Sequence, residues 1–318
     1  MVTGRRLRLP QFSLGGLKPG GLGLSWGLAL SSTLAFSLAT PLARLTLDLG
    51  VDPTTLLVLR FTLAIGLLAG TLRLIAPDKL WADRRGVLIA YFAGLENGIG
   101  VLCFFWALTR LEASVATMLF TLNPLLILGL LALRGERLTY RHWLRIGLGL
   151  AGVFFVIGPA GQIDWLGVLL LGITISCIAL EFVIIQWYLQ PYDSRTVTLY
   201  VLSGMLTTIF GYWLWQGPAW QAPSGPAWLF IGLLAVVCTY FAWWAMFSSI
   251  RHIGSGQVAM LVPLETLLTV LWSFMLLGER FSPGQYVGAG LILLSTGLAV
   301  QRLGQLRKRL RWRAGQRL

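Results

Sequence analysis

Charge is scarce in this 318-residue chain. Asp, Glu, Lys and Arg make up 12% of it, where a soluble globular domain carries about 25%. A single hydrophobic core stops growing at about 250–300 residues. A chain that is 56% hydrophobic, with a mean hydropathy of +0.76, therefore needs lipid as part of its solvent. Cysteine is nearly missing. Cys103, Cys177 and Cys238 stand singly in apolar runs without C-x-x-C spacing, which excludes a disulfide framework and a thiolate metal site. They read as small buried side chains. The two histidines, His142 and His252, have no metal-ligand spacing, and no nucleophile–base arrangement is visible. Gly147-Leu148-Gly149-Leu150-Ala151-Gly152 matches GxGxxG, but it lies in an apolar run with no βαβ pattern around it, so it is not a dinucleotide loop. No ATP machinery is encoded. No cofactor and no metal are expected, and the chain does not read as an enzyme.

Long hydrophobic runs are what the chain has in abundance. About 20 apolar residues cross a bilayer as a helix, and the sequence divides into spans near 22–43, 54–76, 86–108, 113–133, 143–159, 165–188, 196–216, 226–249, 256–277 and 284–302. The expected fold is all-α and integral to the membrane, with ten transmembrane helices and short connections. The run near 22–43 is too long for the 7–15-residue core of a signal peptide and reads as a retained first span.

The basic excess, +13 overall, is a topology signal. With the N-terminus in the cytoplasm, the tails and every second loop collect nearly all the Lys and Arg. Arg5, Arg6, Arg8 and Lys18 open this set, Arg141 and Arg145 belong to its middle, and Arg307–Arg317 close it. Only Arg44, Arg110 and Arg280 fall on the far side, and Arg60 lies inside a span. That split follows the positive-inside rule and fits attraction to anionic headgroups. No nucleic-acid partner is expected.

Two stretches have one shape. Leu122–Thr139 carries Asn123 and Pro124, an apolar run and the triplet Gly135-Glu136-Arg137; Leu261–Ser282 carries Pro263 and Glu265, an apolar run and Gly278-Glu279-Arg280. With five spans per half, the second copy enters the membrane from the opposite side, the inverted-repeat plan of many secondary carriers. Arg60-Phe61 opens the second span, and a glycine-rich helix follows each block (Gly147, Gly149, Gly152; Gly288, Gly290, Gly297). On these features the chain resembles the ten-span drug/metabolite transporter superfamily, specifically its EamA-type members, over residues 22–302. It departs from the pattern in that Thr266, not proline, follows Glu265. The resemblance implies a basic tail 1–21, five-helix repeats over 22–160 and 161–302, and a basic tail 303–318.

Ionisable groups inside spans are functional-site candidates by default. Here they are Arg60, Glu96, Glu181 and Glu265. Removal from water disfavours a charged carboxylate, and proton-coupled transport needs a carboxyl group that loads and releases a proton. The plainer alternative is a neutral carboxyl bonded to helix backbone or paired with Arg60; Arg60 itself reads as an ion-pair partner or as an anchor for an anionic substrate. Gly94, Gly98 and Gly100 flank Glu96 and would admit a neighbouring helix closely. Pro41, Pro124 and Pro263 interrupt spans and are candidates for helix breaks lining a cavity, where Asn123 and Glu265 would oppose each other. Tyr240, Trp243, Trp244 and Phe247 repeat at helical spacing, as a pocket wall or simply as packing. Glu181 and Tyr188, seven apart, would share a face.

The expected function is secondary active transport of a small metabolite, amino acid or drug, exported and linked to protons. The alternatives are a metabolite antiporter (sugar-phosphate or nucleotide-sugar exchange), a membrane-embedded enzyme, or a non-transporting scaffold. The expected location is a bacterial inner membrane with both termini cytoplasmic, and the plan admits a homodimer.

Overall fold

Segments too apolar to leave their backbone to water wind into helices, because in lipid each N–H and C=O must be satisfied within its own segment. The structure is a computed structural model, and it describes residues 19–80, 83–108, 110, 119–120, 122–133, 140–157, 164–217, 222–277, 283–284 and 286–295. Among these residues there is no strand. The helices are α1 Pro19–Ser37, α2 Ala39–Asp48, α3 Pro53–Ile75, α4 Arg84–Leu108, α5 Asn123–Leu133, α6 Tyr140–Ile157 and α7 Trp165–Ile184. They continue with α8 Ser194–Gln216, α9 Gly225–Ala235, α10 Ala242–Ile253, α11 Ser255–Ala259, α12 Val262–Leu277 and α13 Tyr286–Ser295. Two π turns interrupt regular winding: Ile185–Leu189 prolongs α7, and Val236–Phe241 joins α9 to α10.

Seven stretches among the described residues are long and apolar enough to cross a bilayer: Gly23–Asp48, Pro53–Ile75, Arg84–Ala107, Trp165–Leu189, Ser194–Gln216, Gly225–Ile253 and Ser255–Leu277. Asn123–Leu133 and Tyr286–Ser295 are shorter apolar helices. Both GER triplets, Gly297, residues 1–18 and 303–318 of the tails and the start of the expected fourth span lie outside the described residues. The outer surface is apolar. Leu74 and Leu133 are exposed in this bundle, and Trp165 and Trp215, at helix ends, are 80% and 81% exposed. Tryptophans at such positions suit the interface between hydrocarbon and headgroups.

The interior is set by α4, which packs between α7 and α8. Glycines bring the backbones together: a Cβ on Gly94 would overlap the Val201 carbonyl of α8, and one on Gly204 would overlap the Tyr91 carbonyl of α4. One helical turn on, a Cβ at Gly98 would lie 2.7 Å from Thr208 Cβ, and Thr208 donates to the Leu95 carbonyl (3.0 Å). On the α7 side, a Cβ at Gly100 would lie 2.8 Å from Cys177 Cβ. The same device recurs where Gly152 of α6 meets Ile292 and the Gly288 carbonyl of α13.

Helix α3 begins at Asp52, whose carboxylate accepts from the Thr54 hydroxyl (2.6 Å) and the Thr55 N–H (2.9 Å), with Pro53 in the first turn. Partial burial works against the charge, but these hydrogen bonds prevail and hold the carboxyl below the usual aspartate range. A carboxyl so lowered stabilises the fold above the unfolded value of about 3.9 and loses that contribution as pH falls through the folded value. Asp52→Ala is expected to cost about 1 kcal/mol at neutral pH. The difference in melting temperature from the wild type should shrink as the buffer is taken below pH 4; a constant difference would mean the cap does not act through its charge.

Candidate functional site

Proline decides where the spans break. Its ring clashes with the carbonyl four residues earlier and offers no N–H to it. Helix α1 ends at Ser37, four before Pro41, and α11 ends at Ala259, four before Pro263. Helix α5 opens at Asn123 with Pro124 next, and α12 opens at Val262 with Pro263 next. Pro124 and Pro263 line one small pocket with Arg145, Ile146, Leu150, Met260 and Ser295. Asn123 is 1% exposed, and its Oδ1 has no partner among the described residues. Glu265, in the first turn of α12, is partly buried, and no hydrogen bond to its carboxyl is seen among the described residues. No hydrogen bond joins Asn123 to Glu265 among the described residues. Two turns beyond Glu265 on the same helix, Trp272 donates to Ser37 Oγ at the α1 break (3.0 Å).

Arg145, assigned from sequence to a cytoplasmic connection, is instead 3% exposed within α6, and its backbone carbonyl accepts from the Ser295 hydroxyl (2.9 Å). It follows Tyr140 and Arg141 at a helix start, and the charge count alone could not separate a loop arginine from one turned inward.

The second polar centre lies between α4 and α7. Asn97 Nδ2 donates to Glu181 Oε2 (2.7 Å), and the two residues are 1% and 0% exposed. The Cys177 thiol lies beside the Glu96 carboxyl. Glu96 and Glu181 thus belong to facing helices, α4 and α7, which approach closely at Gly100 and Cys177. Glu96 Oε2, Asn97 Oδ1 and Glu181 Oε1 are buried without a hydrogen-bond partner among the described residues. Sequence reasoning named both acids and missed Asn97 and Cys177. The signal for Asn97 was its place beside Glu96 at mid-span; for Cys177 it was the four-residue spacing to Glu181, one turn of the same helix face.

Arg60 serves the third centre. It donates from Nε to Thr239 Oγ1 and from Nη2 to the Cys238 carbonyl (3.3 Å), both in the π turn between α9 and α10. The alternative in which an intramembrane acid pairs with Arg60 is therefore not found among the described residues. A π turn leaves carbonyls that a regular helix would satisfy, and the guanidinium and the Thr239 hydroxyl meet those groups; Thr239 itself donates to the Leu234 carbonyl (2.9 Å).

The same turn divides the aromatic series. Tyr240 OH donates to Thr71 Oγ1 of α3 (3.4 Å), while Trp243 packs edge-on against Phe36 of α1 and Phe247 (centroids 5.8 and 5.4 Å). Trp244 lies against Phe241 and under the Arg195 guanidinium (5.7 Å). Trp243 Nε1 is buried without a partner among the described residues. The π turn at Ile185–Leu189 likewise separates Glu181, fully buried, from Tyr188, 40% exposed, so these two do not share a face.

Apolar helices of spanning length, an apolar outer surface and polar groups enclosed between helices define an integral, multi-pass membrane protein. The EamA-like transporter family matches the chain twice, over residues 23–158 and 165–301, and the chain belongs to this family, within the drug/metabolite transporter superfamily. An uncharacterized transporter of Archaeoglobus fulgidus is 24% identical over 217 residues, covering 68% of this chain and 76% of its own. A solved crystal structure shares the fold, with a TM-score of 0.75 at 19% identity over 89% of this chain and 98% of that one. Family and relative point to a membrane transporter rather than an enzyme.

Proposed function

We propose that this chain is a secondary active transporter with ten spans in two inverted five-helix repeats, residues 22–160 and 161–302. It moves a small metabolite, amino acid or drug, outward and linked to protons, across a bacterial inner membrane with both termini cytoplasmic, and the plan admits a homodimer. The observation that carries this reading is the shared pocket of Pro124 and Pro263. Each proline opens a half-helix in one of the two family-matched stretches, and the two meet at one place. Broken helices facing one another between repeats are how many carriers build a mid-membrane binding site. The proton link is supported by the Glu96 carboxyl, held between helices with one oxygen buried and without a partner. Arg60 is engaged with the π turn and so is not placed to meet the phosphate that sugar-phosphate or nucleotide-sugar exchange would bring.

The test is flux in proteoliposomes under an imposed pH gradient, with a pool of amino acids and cationic drugs and lumenal pH recorded. Wild type is expected to show solute-dependent proton movement, and Glu96→Gln to lose it by at least tenfold. Solute flux without proton movement would remove the proton link and leave the carrier. Proton movement equal in the wild type and Glu96→Gln would remove Glu96 from the mechanism.

A further inference from the structure

Glu96, half-buried, and Glu181, fully buried, face one interface in which no cation meets either carboxyl among the described residues. We infer that Glu96 and Glu181 form a coupled pair that carries a single negative charge between them, with Asn97 and Cys177 as the positioning residues that hold it, and that this pair binds the coupling proton. The inference deepens the proton-linked reading and rests on it for its role in transport, but the pair itself is defined by geometry.

The geometry is a crossed arrangement. Asn97, next to Glu96 on α4, donates across the interface to Glu181 Oε2 (2.7 Å), while Cys177, one turn before Glu181 on α7, reaches back to Glu96. Each acid is thus met by a polar side chain from the opposite helix. Glycine makes the crossing close: Gly100 has Cys177 Cβ where a side chain would begin, and Thr174 donates to the Gly100 carbonyl (2.9 Å). One acceptor position on each acid and on Asn97 stays buried and unfilled among the described residues, so the site has room for protons that its fixed donors do not supply.

Among the described residues the surroundings supply no compensating charge. On α4, Cys103 lies near Cys177 as a further thiol, and Tyr91 is bonded to Thr207 (2.9 Å). Helix α5, which packs on α7, contains no titratable residue. Helix α8 brings Arg195, Tyr200 and Tyr212. Arg195 lies over Trp244, Tyr200 donates to the Leu80 carbonyl, and Tyr212 accepts from Trp106. Tyr188 of the π turn is exposed. Like charges in one low-dielectric site separate their ionisations, so the pair loses its first proton far more readily than its second. Loading or releasing one proton changes the pair's charge by one and breaks no other covalent bond.

Infrared difference spectroscopy of the purified chain, following the carboxyl C=O band as pH is stepped, tests the pair without reference to solute. The Glu265→Gln background keeps that carboxyl out of the band. Two separate steps are expected, and Glu96→Gln and Glu181→Gln should each leave one step at a pH between them. If either remaining carboxyl titrates where it did with its partner present, the sites are independent and the inference fails. Cys177→Ala, which keeps both acids, should displace the steps, and Cys177→Ser should restore them; unchanged steps in Cys177→Ala would overturn the positioning role. A coupled titration without solute flux in liposomes would uphold the pair and defeat the carrier reading, whereas flux with independent titrations would do the reverse.

Discussion

Gly94→Val is expected to abolish recovery of folded protein, because the missing side chain at this position is what permits α4 and α8 to touch. A Cβ there would overlap the Val201 carbonyl, and the reciprocal contact at Gly204 meets the Tyr91 carbonyl. The obstacles on both sides are main-chain atoms, which cannot swing away as a side chain can. Overpacking a well-filled core costs about 1–3 kcal/mol even where side chains yield. A backbone–backbone clash in the most extensive helix pairing among the described residues should cost about 3 kcal/mol or more. Gly66 of α3 is the control. No heavy atom lies within 4 Å of a Cβ built there, so Gly66→Ala should lie within about 1 kcal/mol of the wild type and favour the helix if anything. Size-exclusion profiles in detergent and melting temperatures decide the matter. A Gly94→Val protein that elutes and melts as the wild type does would show that the two backbones are not in contact.

The second large effect is expected at Gln186, in the π turn that prolongs α7. Its Oε1 accepts from both the Ser255 N–H (2.6 Å) and the Ser255 hydroxyl (2.7 Å), and both residues are buried. Ser255 starts α11, the half-helix before the Pro263 break. It follows Gly254, whose φ of +89° with ψ of 152° is a conformation open in practice to glycine alone. One side-chain oxygen thus closes the start of a five-residue helix that is too short to hold itself. Gln186→Leu would leave two buried donors unmet, at about 2–4 kcal/mol in total, and Ser255→Ala should cost roughly 1 kcal/mol because one of the two bonds survives. Thermal denaturation of the two variants side by side tests this. Equal losses would mean that the hydroxyl, not the N–H, accounts for the contribution of Gln186.

The spans were legible because length and apolarity are local properties. So were the breaks, since proline acts on the carbonyl four residues before it wherever it falls. The ends of α1 at Ser37 and of α11 at Ala259 follow from Pro41 and Pro263 by that rule alone. The acids Glu96, Glu181 and Glu265 were legible as costs that lipid would not tolerate without a reason. Their partners were not. Whether Arg60 meets a carboxyl or the Thr239 hydroxyl depends on which helix lies opposite, and periodicity carries no information about that. The π turns were the largest omission. Val236–Phe241 is an apolar run like any other, and nothing in it announces a wide turn. A regular helix was assumed from Tyr240 to Phe247, and the aromatic residues that should have stood in line instead face α3, α1 and α8.

Those wide turns also fix the length of the chain between the helices on either side. A π turn holds one residue more than the ordinary helix needs to cover the same path, so it changes which face the following helix presents. Removing one residue from Val236–Phe241 would restore common winding and swing Ala242–Ile253 by about 100° against Gly225–Ala235. Trp243 would leave Phe36, and Arg60 would lose the carbonyl and hydroxyl that hold it. The extra residue has become indispensable to the arrangement built on top of it.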